Sequence, residues 1–118
     1  MAARRTARSP LQDALQHLGA RRIEAALIAA LVESPLGTKQ IVEKTGLRQP
    51  EVSIGMNLLR ERGWVETESI PRQGKGRPMH RYRLSVGAPD VRRHFEAKGK
   101  AAIDDVNQAI RAIKTRLG

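Results

Sequence analysis

The hydrophobic period of the chain changes at Gly63, from that of a helix to that of a strand. Before that residue, Val52, Met56 and Leu59 recur at the spacing of one face of an α-helix. After it, "WVETESI" alternates, with Trp64, Glu66 and Glu68 on one side and Val65 and Thr67 on the other, the pattern of a strand. Gly63 is well placed as the residue that stops the helix. A second alternating run, "MHRYRLSV", puts Tyr82 and Leu84 on a common face, and the Gly- and Pro-rich "PRQGKGRP" between the runs reads as a loop. A helix that feeds directly into a β-hairpin with a basic tip is therefore expected. The fold class that follows is mainly α with one small β-hairpin (α+β).

The remaining segments are helical by pattern. Ser9-Pro10 is a helix start, with Ser as cap and Pro in the first turn, and Leu11, Leu15 and Leu18 follow on one face until Gly19. A second helix is expected from about Ala20 to Glu33, with Ile23, Leu27 and Leu31 on one face, and "SPLG" reads as a turn. Thr38 is a candidate cap for a short helix burying Ile41 and Val42, and Gly46 stands where a turn needs positive φ. The next helix begins near Gln49-Pro50. Gly87-Ala88-Pro89 breaks the chain, Asp90 is a candidate cap for a final helical region, and Gly99 is expected to divide or bend it. Beyond Gly99, Ile103, Val106, Ile110, Ile113 and Leu117 form a heptad-like strip of about two heptads. The organisation expected is a basic arm over 1–8, a helical and hairpin domain over 9–87, and a C-terminal helical region over 88–118.

Composition narrows the function. Lys and Arg total 22 against 12 Asp and Glu, a net charge of +10 and a pI near 11.2, which favours an anionic polymer or surface as partner. Aromatic residues make up 3%, so a core of Leu, Ile, Val and Ala is expected. With no cysteine, disulfides and thiolate zinc sites are excluded. The apolar run Ala25–Val32 is far shorter than a membrane span, and the basic N-terminus has no apolar segment behind it, so a cytoplasmic location without a membrane partner is expected. Asp90 and His94 lie one helical turn apart, but with only two other His in the chain no metal site, and no cofactor, is expected. No nucleophile–base pairing or phosphate loop occurs, and an enzyme is not expected. Glu66 and Glu68 on one side of a strand read as a solvated edge.

The segment "TKQIVEKTGLRQPEVSIGMNLLRERGWVE", Thr38 to Glu66, resembles the winged helix-turn-helix of the MarR and TrmB group of transcriptional regulators, with ArsR regulators as cousins. Leu47, Gln49, Val52, Ser53, Leu59, Gly63, Trp64 and Val65 match that pattern, and "GKGRPMHRYRL" is similar to archaeal members. The resemblance covers roughly Arg21 to Val86. It departs at Ile54 and Gly55, where such families often place Arg or Lys, and at Arg48, where Ser or Thr is usual. It implies a homodimer on double-stranded DNA, with additional N- and C-terminal helices for dimerisation.

The residues agree with that expectation. With Val52, Met56 and Leu59 facing the core, Arg48, Gln49, Glu51, Ser53, Asn57 and Arg60 remain on or near the outer face. Gln, Asn and Arg can make paired contacts with base edges, Ser53 suits a phosphate, and Ile54 suits either a thymine methyl or a neighbouring helix. Lys75-Gly76-Arg77-Pro78 resembles the Arg-Gly-Arg-Pro core of AT-hook peptides, which lie in narrow minor grooves. Arg72, Arg81 and Arg83 would flank it, in a stretch without an acid from Ser69 to Ala88. The strip Ile103, Val106, Ile110, Ile113 and Leu117 has two expected partners: Leu11, Leu15 and Leu18 of the same chain, or a second copy. Alternatives to a sequence-specific regulator are a winged-helix protein-interaction module and a non-specific architectural DNA binder. A small-molecule effector is not identified.

Overall fold

A computed structural model describes residues 9–70 and 79–118. In chain order the elements are α1 (Pro10–His17), α2 (Arg22–Leu31), α3 (Thr38–Thr45), α4 (Gln49–Glu61), β1 (Val65–Ile70), β2 (Met79–Leu84) and α5 (Ala88–Leu117). This is the mainly helical, single-hairpin architecture expected of a winged helix-turn-helix. Among the described residues no helix is long and apolar enough to cross a membrane.

The run that reads as "AALIAALV" becomes the central helix. In α2, Ala25, Ala26, Leu27, Ile28, Ala30 and Leu31 are all buried, so nearly the whole circumference is covered, by α1, α3, α4 and β2. Leu27, Ile28, Ile41, Val52, Met56 and Leu59 are the largest fully buried side chains. Each contributes about 1.5–3 kcal/mol relative to exposure. Small alanines allow close helix approach, and Gly55 carries it further: a Cβ there would stand 2.4 Å from Leu27 Cδ1 and 2.7 Å from Ile23 Cγ2. Gly55 is thus the point where α4 lies directly on α2.

Several helix ends follow the sequence and three differ from it. Ser9 Oγ accepts the Gln12 N–H at 2.9 Å, as its cap role requires. Gly46 ends α3 with φ 76°, and Gly63 follows α4 with φ 85°. Thr38, however, is inside α3: Gly37 occupies the cap position, and the Gln40 side chain accepts its N–H at 2.9 Å. Asp90 likewise lies in the first turn of α5, with Gly87 as cap and its N–H donated back to Asp90 Oδ2. Gly99 neither divides nor bends the helix, because α5 runs unbroken for 30 residues. Its role is steric, since a Cβ would come within 2.8 Å of Leu18 Cδ2.

Val91 and Phe95 join α5 to the core. Trp64 packs edge-on against His94 and Phe95, at ring separations of 4.9 and 6.1 Å, and the Arg62 guanidinium lies 5.2 Å from the Trp64 ring centroid. Burial, with the charges of Lys98 and Arg62, pushes the His94 imidazole below its ordinary pKa. From residue 101 onward every position of α5 is exposed, and the molecule extends over 74 Å in its longest dimension. The strip from Ile103 to Leu117 therefore does not fold back on Leu11, Leu15 and Leu18 of its own chain. Leu15 is instead a core residue, Leu18 is half-buried, and Leu11 is 42% exposed.

Candidate nucleic-acid interface

The turn between α3 and α4 is fixed from inside. Leu47 is buried beneath it, and the Thr45 hydroxyl donates to the Ile41 carbonyl at 2.7 Å while accepting the Leu47 N–H at 3.1 Å. Arg48 precedes the first turn of α4, where the Glu51 carboxylate accepts its N–H at 3.0 Å. The same carboxylate pairs with Arg22 of α2 at 2.8 Å. The Arg48 N–H and then the Arg22 guanidinium hold Glu51 below the usual carboxylate range. Glu51 thus faces α2 and braces the helix start, while Arg48 is exposed at the cap.

Gln49, Ser53, Asn57 and Arg60 are exposed on successive turns of α4. That strip is the polar outer face of the helix, because Val52, Met56 and Leu59 hold the opposite face in the core. Ile54 is 58% exposed and Leu58 37%, on the flank of α4 toward α2. There Arg21, Ile23, Ile54 and Leu58 border a cavity together with Gly55.

Arg60 links this helix to the hairpin. Its guanidinium donates to Asn57 Oδ1 at 3.3 Å and to Thr67 Oγ1 at 3.4 Å, and lies 5.8 Å from the Tyr82 ring centroid. The hairpin is antiparallel, with Glu66 opposite Arg83 and Glu68 opposite Arg81. Both pairs are closed, at 2.5 and 2.6 Å. Glu66 and Glu68 thus stand on a solvated edge, each with a partner across the strands, the Glu66–Arg83 pair exposed and the Glu68–Arg81 pair half-buried. Such surface pairs contribute only about 0–1 kcal/mol each and exchange readily for another anion. Arg72, Lys75, Gly76 and Arg77 lie outside the described residues.

Sequence reasoning missed three contacts. Leu36, in the stretch taken as a plain turn, bridges β2 by two backbone hydrogen bonds with Tyr82, of 3.0 and 2.7 Å. Glu24 is buried and pairs with Arg62 at 2.7 Å, locking the end of α4 to α2. The Trp64, His94 and Phe95 cluster ties the foot of the hairpin to α5. Only the Cap-x-x-Glu spacing of Arg21 and Glu24 hinted at any of them, through the Arg21 N–H donated to Glu24. Among the described residues no group of three or more His, Cys, Asp or Glu stands close enough to hold a metal.

No protein-family model matches the chain, and no curated protein does. Solved structures do. A possible transcriptional regulator from Methanosarcina mazei Go1 matches with a TM-score of 0.57 and 12% identity, over 88% of each chain. A PadR family transcription regulator from hypervirulent Clostridium difficile R20291 matches with 0.54 and 12% identity, over 83% of this chain and all of the other. The transcriptional repressor BigR from Xylella fastidiosa is 28% identical over 63% of this chain and 67% of its own, with a TM-score of 0.48. The fold is that of winged-helix transcription regulators.

Proposed function

We propose that this protein is a homodimeric, sequence-specific regulator of transcription that binds double-stranded DNA in the cytoplasm, most similar in its motif to the MarR and TrmB group. In this reading α4 enters the major groove and the segment Arg72–Pro78 enters the adjacent minor groove. The observation that carries the reading is the exposed strip Gln49, Ser53, Asn57 and Arg60, held at a set angle to the hairpin by Arg60. Those residue types suit base edges and phosphates, and a preset angle between two elements is what reading two neighbouring grooves requires. Arg48 and the N–H groups of the first turn suit a phosphate, with Glu51 as a brace rather than a reader. Arg81, Arg83, Arg72, Lys75 and Arg77 supply the cations of the wing, and the net charge of +10 supplies the long-range attraction. The region 88–118 carries the dimer, through Ile103, Val106, Ile110, Ile113 and Leu117.

Selection from a randomised duplex pool at about 150 mM salt tests this, since non-specific binding is weak there. Recovery of a palindromic site supports the regulator, and binding without sequence preference would reduce it to an architectural protein. A second reading rests on the exposed Ile54 and Leu58, which suit contact with another protein. Under that reading the pool yields nothing, and Ile54→Ser abolishes partner capture.

A further inference from the structure

Among the described residues, the apolar strip of α5 packs against nothing else in the chain. Ile103, Val106, Ile110, Ile113 and Leu117 are 45–80% exposed, on a helix that has left the body of the protein. We propose that this strip pairs with the same strip of a second copy, antiparallel, in the register that brings together residues whose numbers sum to about 216. This inference rests on the homodimeric reading above and specifies the partner's orientation.

Charge along the helix carries the direction. Residues 101–109 contain Asp104 and Asp105 and no cation, whereas 110–118 contain Arg111, Lys114 and Arg116 and no acid. A parallel pair would lay like on like, crowding the cations of both copies into the last two turns. An antiparallel pair sets the acidic half of each helix beside the basic half of the other, and opposes the two helix dipoles as well.

The apolar spacing then selects the register. Ile103 meets Ile113 of the second copy, Val106 meets Ile110, and Leu117 falls at Gly99, a position with no side chain, bordered by Leu18 of the same chain. Large therefore packs against small at each end of the overlap. Asp104 stands beside Lys114 of the second copy on the same side of the seam, and Asp105 lies level with its Arg111 on the outer face. The cost is Lys100 approaching Lys114 of the second copy at the solvated edge, one like-charge approach that the neighbouring Asp104 offsets. Sliding the pair by one heptad inward brings the acidic halves of the two copies level with each other, and sliding it outward leaves Ile103 beyond the end of the other helix. In the chosen register the two Phe95 anchors are offset by about 39 Å along the helix axis, at 1.5 Å per residue. In a parallel pair that offset is near zero.

The chain has no cysteine, so introduced ones report without background. Ile103→Cys and Ile113→Cys are prepared in the full chain, checked as dimers by sedimentation, and oxidised separately and mixed. The antiparallel pair brings the unlike positions within disulfide reach, so the mixed sample should cross-link roughly tenfold faster than either variant by itself. Rapid like-with-like cross-linking in the separate samples would overturn the orientation and leave the homodimer standing. A wild-type chain that sediments as a monomer at micromolar concentration would overturn both.

Discussion

Gly55→Ala separates local preference from tertiary packing, because the two give opposite signs. Within a helix, Gly to Ala stabilises by about 0.8–1 kcal/mol when nothing else is touched. Here the added methyl would meet Leu27 Cδ1 at 2.4 Å and Ile23 Cγ2 at 2.7 Å. Leu27 is fully buried, so its methyl has little room to swing, and Ile23 Cγ2 moves only by turning a stiff, β-branched χ1 or by a backbone shift. Overpacking of this kind costs about 1–3 kcal/mol, and two contacts this short argue for the upper part of that range. The net expectation is a loss of about 1–2 kcal/mol. For a chain of this size that lowers Tm by about 4–8 °C. Urea titration at one fixed protein concentration measures it, since an associating protein has concentration-dependent stability. An unchanged or raised midpoint for Gly55→Ala would refute the direct approach of α4 to α2.

Replacing Lys75 and Arg77 with Ala should weaken DNA binding and make the salt slope shallower by about one to two units, and an unchanged slope would remove the wing from the interface. Asn57→Ala should cost about 1–3 kcal/mol on the selected site and little on a scrambled duplex, as read by competition gel shifts. Glu51→Gln should flatten the acid limb of stability. The folded carboxyl titrates below its ordinary value, so its contribution is present above about pH 4.5 and is lost as pH falls below that point, and an identical acid limb in the variant would show that the brace from Arg48 and Arg22 does not form in solution. Ile110→Asp should leave far-UV helicity of the body intact and give a monomer by sedimentation, because a carboxylate in a closed apolar strip loses its hydration.

The α4–hairpin junction was legible in the sequence because both periods are local and Gly63 marks where one gives way to the other. Helix ends were legible only to within a turn. Asp90 and Thr38 are good caps by type, yet Gly87 and Gly37 hold those positions, since any residue with an extended backbone can cap when a side chain three residues on accepts its N–H. Hairpin register was not legible: the eight residues 71–78 leave several alignments open. Glu66 and Glu68 therefore read only as a solvated edge, and their facing partners Arg83 and Arg81 could not be named. Arg60 shows the same limit within the candidate site. Its place on the outer face of α4 followed from spacing, but its tie to Thr67 and Tyr82 depends on where the hairpin lies.

By itself, then, the sequence determined the elements, their order, the core faces of α3 and α4, the positive charge and the unpaired strip at the end. Those properties arise within a few residues of chain, through periodicity, backbone freedom at Gly46 and Gly63, and composition. Tertiary structure decided which glycine is a contact, which carboxylate is a brace, and that α5 continues straight through Gly99 into solvent. Those outcomes depend on distances between segments far apart in sequence, as in the pairing of Glu24 with Arg62 and of Leu36 with Tyr82, and only the packed core sets such distances.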